Sequence, residues 1–141
     1  MLRVLAVSVS LTGCLDALAP EVGPLSEPAM CDVDSAPGRN VSFATDISPI
    51  LRRSCDRCHL PGGEGQQMSG LDVSSYDTLR AGGTRSLDTI VIDRMPCESV
   101  LWQKTGTAPP FGARMPRNAT PLPDADRLLI HDWIAEGAQD D

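Results

Sequence analysis

Five consecutive residues concentrate the reactive side chains of this chain: Cys55, Asp56, Arg57, Cys58 and His59. Two thiols three positions apart, followed at once by an imidazole, make the pattern C-x-x-C-H. At a helix end such thiols can reach the two vinyl groups on one edge of a porphyrin and form thioethers. The histidine then lies under the iron and can donate a ring nitrogen as proximal ligand. The pattern predicts one covalently bound haem c, attached at Cys55 and Cys58 and ligated by His59. Three other chemistries use part of it. A thioredoxin-like redox pair would need a surrounding βαβ pattern, which the sequence lacks. Half of a zinc site would need further ligands, and the chain has one other histidine, His131, and no second C-x-x-C. A structural disulfide would leave His59 without a role.

Haem iron bound through His59 has a sixth position that is either filled or open. Met68, Met95, Met115 and His131 are the candidates in this part of the chain. Met115 lies in a Pro/Gly-rich stretch, Gly112-Ala113-Arg114-Met115-Pro116, and a loop can present a thioether to iron where a helical Met faces the core. Met95 sits in a similar Arg-Met-Pro context, but Pro96 starts a helix there and leaves Met95 as its flank. His131 falls on the helix face opposite Trp133 and Ile134 and is expected to be solvated. Met115 is therefore the expected second axial ligand.

The elements that must position these groups read as short helices. Thr45 or Asp46 can cap a helix with Ile47, Ile50 and Leu51 at i, i+3, i+4, with Pro49 in its first turn and its end before Pro61-Gly62-Gly63. Ser74 or Ser75 opens a second helix through Leu79, closed by Gly82-Gly83. A third follows Pro96 and ends at Gly106. The last runs from near Asp124, with Leu129, Ile130, Trp133 and Ile134 in register and Gly137 as its stop. Only Thr89-Ile90-Val91-Ile92 has a strand-like composition. The expected class is mainly α, with short helices joined by long ordered loops. At 141 residues the length suits a single folded domain, and with only five aromatic residues a prosthetic group could complete the core. A net charge of −7 argues against general nucleic-acid binding. No apolar run approaches the ~20 residues of a membrane span.

Taken together, residues 41–141 resemble a single-haem bacterial cytochrome c domain. The resemblance rests on Phe43-Ala44-Thr45-Asp46-Ile47-Ser48-Pro49-Ile50-Leu51 leading into Cys55–His59, and on Gly70-Leu71-Asp72-Val73-Ser74-Ser75-Tyr76-Asp77 followed by Ala81-Gly82-Gly83. Ser99-Val100-Leu101-Trp102, Arg114-Met115-Pro116 and Ile130–Ala138 complete it. It implies a cytochrome c fold wrapped around one haem, with N- and C-terminal helices crossing over one haem edge. It also implies His59/Met115 ligation and electron transfer between partner proteins rather than enzymatic turnover. Pro123 departs from the pattern, standing where a capping Ser or Thr is usual, as does Met95-Pro96-Cys97. The alternative function is a haem-based sensor or peroxide-reactive protein, which would require an open or labile sixth position.

The N-terminal residues read as an address. Arg3 precedes a short apolar stretch, and Leu11-Thr12-Gly13-Cys14 resembles the lipobox of bacterial lipoproteins. The resemblance implies a signal peptide over 1–13, acylation of Cys14 and an exported protein anchored to a bacterial membrane. Residues 14–40 then form a lipidated tether, rich in proline and acidic side chains, which cannot bury enough apolar surface to order itself. With Cys14 lipidated and Cys55 and Cys58 on haem, Cys31 and Cys97 remain. In an oxidising compartment they are expected to pair, the alternative being two separate thiols. Arg52, Arg53 and Arg57 beside the motif, with Arg114 and Arg117 beside Met115, could form a basic rim that steers an acidic redox partner.

Overall fold

The computed structural model describes residues 38–141. The expected signal peptide, Cys14, Cys31 and nearly all of the tether lie outside the described residues. Within them the chain is mainly helical and contains no strand. A wide π-type turn at Phe43–Ile47 leads into α1 (Ser48–Ser54), which is followed by α2 (Asp56–His59), α3 (Glu64–Ser69) and α4 (Tyr76–Ala81). Two 3-10 turns, Leu87–Ile90 and Pro96–Glu98, precede α5 (Val100–Thr105), and α6 (Asp124–Ala135) closes the chain.

Local chemistry accounts for most of the boundaries. Ser75 caps α4 in a reciprocal box with Thr78, and Gly82 ends it at φ +72°. A Cβ at Gly82 would lie 2.0 Å from the Leu87 carbonyl oxygen, so no other residue fits there. Pro49 occupies the first turn of α1 and Gly106 follows α5, both as expected. The first cap differs. Ser42, not Thr45 or Asp46, accepts the Thr45 N–H at 3.2 Å, while its own N–H donates to Asp46 Oδ2 at 2.9 Å. This earlier start lets both Phe43 and Ile47 reach the core. Pro123 precedes α6 without a side-chain cap, and Asp124 and Asp126 supply negative charge to that first turn instead.

Two further features could not be read from local composition. Thr89-Ile90-Val91-Ile92 forms no strand; a 3-10 turn ends at Ile90, and Ile90 and Val91 are both buried. The Ile92 N–H, which a strand partner would have bonded, donates to Ser99 Oγ at 2.8 Å. Helix α3 has no apolar period and buries none of its side chains, so nothing in its composition announced it.

The core forms around α6, which packs on the first turn, the Pro96–Glu98 turn and α5. Ile47, Ile50, Leu51, Leu79, Ile130, Trp133 and Ile134 are almost wholly buried there. Trp133 lies tilted against Phe43, ring centroids 5.6 Å apart, and meets Tyr76 edge-on at 6.4 Å. The Tyr76 hydroxyl donates to the Ala138 carbonyl at 2.8 Å, and Trp133 Nε1 donates to the Gln139 carbonyl at 3.0 Å. The last residue is tied in as well, since Asp141 accepts the N–H groups of Phe43 (2.7 Å) and Ala44 (3.0 Å).

Residues 38–40, the end of the stretch read as tether, are docked on α6. The Glu136 carboxylate accepts N–H groups from Gly38 (2.9 Å), Asn40 (3.2 Å) and Val41 (2.8 Å). Arg39 Nε stands 3.2 Å from the fully buried Asp132, an ion-pair distance without hydrogen-bond alignment. Burial alone would raise the Glu136 carboxyl, but the backbone N–H groups of residues 38–41 outweigh it and hold it below the ordinary value of 4.5. A carboxylate with a depressed folded-state pKa stabilises above its unfolded value and loses that contribution as pH falls through the folded one. Glu136→Gln is expected to lower stability by about 1–3 kcal/mol at pH 7. It should have little effect at the acid end, as read by urea midpoints at both pH values. Equal losses at both would mean that the charge is not what holds residues 38–41.

Candidate functional site

Cys55 stands at the corner between α1 and α2, where its N–H donates to the Leu51 carbonyl at 2.7 Å. Its own carbonyl accepts the N–H groups of Cys58 (3.1 Å) and His59 (2.9 Å). That single turn sets the three side chains at i, i+3 and i+4, hence on one face. Cys55 is half-buried against the core and Cys58 is exposed, and both are free thiols. Burial first, then the charges of Asp56 and Cys58, push the Cys55 thiol up to about 11. A thiol–disulfide exchange pair needs a thiolate of lowered pKa, so this site is tuned the other way. Asp56 Oδ1 is buried beside it without a hydrogen-bond partner.

His59 is held from the far side of the α3 excursion. Its Nδ1 lies 3.4 Å from the Leu71 carbonyl oxygen, and its carbonyl accepts the Val73 N–H at 3.0 Å. A carbonyl can only accept, so this contact favours the tautomer with its proton on Nδ1 and a lone pair on Nε2. Burial lowers the imidazole's pKa against the opposing effect of the Leu71 bond, which favours the neutral ring that a metal binds. Beside Nε2 stands Gly65 of α3. A Cβ there would lie 3.0 Å from both Nε2 and Cε1 and 2.9 Å from the Cys58 carbonyl oxygen. A side chain at position 65 would therefore press on the imidazole and on the turn that carries it. Two free thiols and an imidazole with its lone pair on Nε2, all on one turn, are the groups that a covalent haem c would use.

Met115 belongs to a different segment. It is half-buried in the 106–123 loop, and its N–H donates to the Lys104 carbonyl at 2.7 Å, which ties it to α5. The structure brings Cys55, Cys58 and His59 together and leaves Met115 on a loop carried by α5. Met68 on α3 is 70% exposed and Met95 is 42% exposed. His131 is not solvated as expected. It is 4% exposed, edge-on to Trp102 at 5.1 Å, with Nδ1 3.1 Å from Asp132 Oδ1. Helix α5 covers the face that periodicity within α6 assigned to solvent. Sequence reasoning missed Leu71, Gly65 and Lys104. Leu71 acts through its backbone, which no side-chain pattern can signal.

The wider surroundings modify two other readings. Arg53 pairs with Asp126 of α6 at 2.6 Å, so it joins the two helices rather than standing free in a basic rim. Arg52 and Arg57 are exposed. Cys97 is disulfide-bonded, and its partner is neither Cys55 nor Cys58; Cys31, the expected partner, lies outside the described residues. Among the described residues no group of three or more His, Cys, Asp and Glu side chains converges as a metal site. No helix among them is long and apolar enough to cross a membrane. No family model, curated protein or solved structure matches the chain.

Proposed function

We propose that this protein is a membrane-tethered, single-haem c-type cytochrome that carries electrons between partner proteins through an iron ligated by His59 and Met115. The observation that carries the proposal is the His59 ring inside C-x-x-C-H, on one turn with two free thiols, with Nδ1 facing the Leu71 carbonyl and the lone pair left on Nε2. Bound there, the haem supplies a reversible one-electron couple at iron.

The residues of the chain have separable tasks. Cys55 and Cys58 fix the group covalently, which suits an exported protein that cannot replace a lost cofactor. The Leu71 carbonyl orients His59 and raises its basicity as a ligand. Met115 supplies a thioether that favours the reduced state and so raises the potential. With His59 and Met115 both holding the iron, a substrate would find no place on it, and the protein would act as a carrier rather than an enzyme. Acylated Cys14 would hold it at the membrane surface, and the Cys31–Cys97 bridge would pin the tether to the segment before α5.

The test is the absorption spectrum, oxidised and reduced, of protein matured with a c-type haem system, alongside Met115→Ala. The expected parent is low-spin, covalently haem-bound and inert to carbon monoxide, with a sulfur–iron charge-transfer band that the variant lacks. High-spin, carbon-monoxide-reactive haem in the parent would instead establish a sensor or peroxide-reactive protein with an open or labile sixth position. That second reading has one observation in its favour, the attachment of Met115 to a segment separate from His59.

A further inference from the structure

Between Gly106 and Pro123 the chain forms no regular element, yet it carries the residue proposed to ligate iron. A thioether weakly bound to iron must be held in place by something else, because backbone freedom in a loop competes with ligation. We infer that Lys104 is the positioning residue for Met115, pinning the loop to α5 from both sides; this rests on the reading of Met115 as axial ligand.

Four ties converge on this one residue. The Lys104 ammonium donates to the Phe111 and Ala113 carbonyls, both at 2.6 Å, and stands 4.7 Å over the Phe111 ring. Its main-chain carbonyl accepts the Met115 N–H at 2.7 Å. Gly112, at φ +56°, lies between the two bonded carbonyls, and this left-handed residue lets both turn toward the same cation. No carboxylate among the described residues pairs with Lys104, so its charge is directed to loop carbonyls. An ammonium suits this role because it offers three donors from a compact centre.

The support behind Lys104 is firm. Leu101, Trp102 and Thr105 of α5 are buried, the Thr105 hydroxyl donates to the Trp102 carbonyl at 2.8 Å, and Gln103 Nε2 donates to the Cys97 carbonyl at 2.8 Å. Arg127 of α6 lies 4.2 Å over the Trp102 ring. Lys104 itself points outward from this platform, so its replacement removes loop contacts rather than core.

The experiment compares the full-length, haem-loaded parent with Lys104→Met, which keeps the aliphatic stem, and with Lys104→Arg. Three readouts are taken: the sulfur–iron band, carbon monoxide binding to the reduced form, and hydrogen exchange at the Met115 amide. Lys104→Met is expected to lose most of the band, to bind carbon monoxide as Met115→Ala does, and to exchange the Met115 amide about 10-fold faster or more. Lys104→Arg should restore much of the band. Helical content and covalent haem load should match the parent in all variants. A Lys104→Met protein with the parent's band and unchanged exchange overturns the inference. If the parent itself lacks the band, the ligation reading fails and this role falls with it. Faster exchange in Lys104→Met would then show only that the loop is pinned.

Discussion

Haem is expected to come away completely from the Cys55→Ala/Cys58→Ala double variant on acidified-solvent extraction, whereas all of it should stay with the parent polypeptide. Both thiols are free, and they stand on the one turn that ends in His59. The half-buried Cys55 is protonated at neutral pH, because burial first, and then the neighbouring Asp56 and Cys58, raise it to about 11. A neutral thiol is slow to enter disulfide exchange, so Cys55 is a poor attacking thiol in such exchange. Single variants should retain one thioether and intermediate resistance to extraction. Intact-mass measurement reads the result directly, as one haem mass on the parent and none on the double variant. Cys55 packs against the core, so the alanine there should cost no more than about 1 kcal/mol, a loss the fold can absorb. Equal haem retention by the parent and the double variant would refute covalent attachment through these sulfurs. A parent carrying no haem after c-type maturation would refute the cytochrome reading itself.

The largest effect on stability is expected at Trp133. Its side chain is fully buried, it touches the rings of Phe43 and Tyr76, and its Nε1 donates to the Gln139 carbonyl. These contacts join α6, the turn before α1, the start of α4 and the C-terminal residues. Trp133→Ala should cost about 3–5 kcal/mol through lost burial and the resulting cavity. Against a domain stability of roughly 5–15 kcal/mol, that leaves the haem-free protein close to unfolding at room temperature. Trp133→Phe keeps an aromatic ring in the cluster but gives up the Gln139 bond and some volume, and should lie between the two. Urea unfolding followed by circular dichroism measures both. An alanine variant within 1 kcal/mol of the parent would mean that the aromatic cluster does not join these elements as described.

Where one side chain or one turn decided the outcome, the sequence was enough. The spacing of Cys55, Cys58 and His59 on a helical turn, the opening of α4 at Ser74 or Ser75, the Gly82 stop and the start of α6 near Asp124 all depend on residues within about five positions of each other. The spacing of side chains on a turn is a property of the backbone helix, so it can be read without knowing the fold.

Tertiary structure decided what depends on distant partners. His131 looked solvated from α6 alone, and is buried because Trp102 of α5 covers it. The Thr89–Ile92 run had β-forming side chains but no neighbouring strand, and Ser99 satisfied its backbone instead. The ring nitrogen left free on His59 was set by the Leu71 carbonyl, a backbone atom beyond an unsignalled helix. The loop around Met115 is bonded to α5 through Lys104, whose ammonium donates to the Phe111 and Ala113 carbonyls and whose carbonyl accepts the Met115 N–H. The local pattern therefore names the chemical groups, while burial, tautomer and loop position follow from contacts between segments, which local periodicity does not encode.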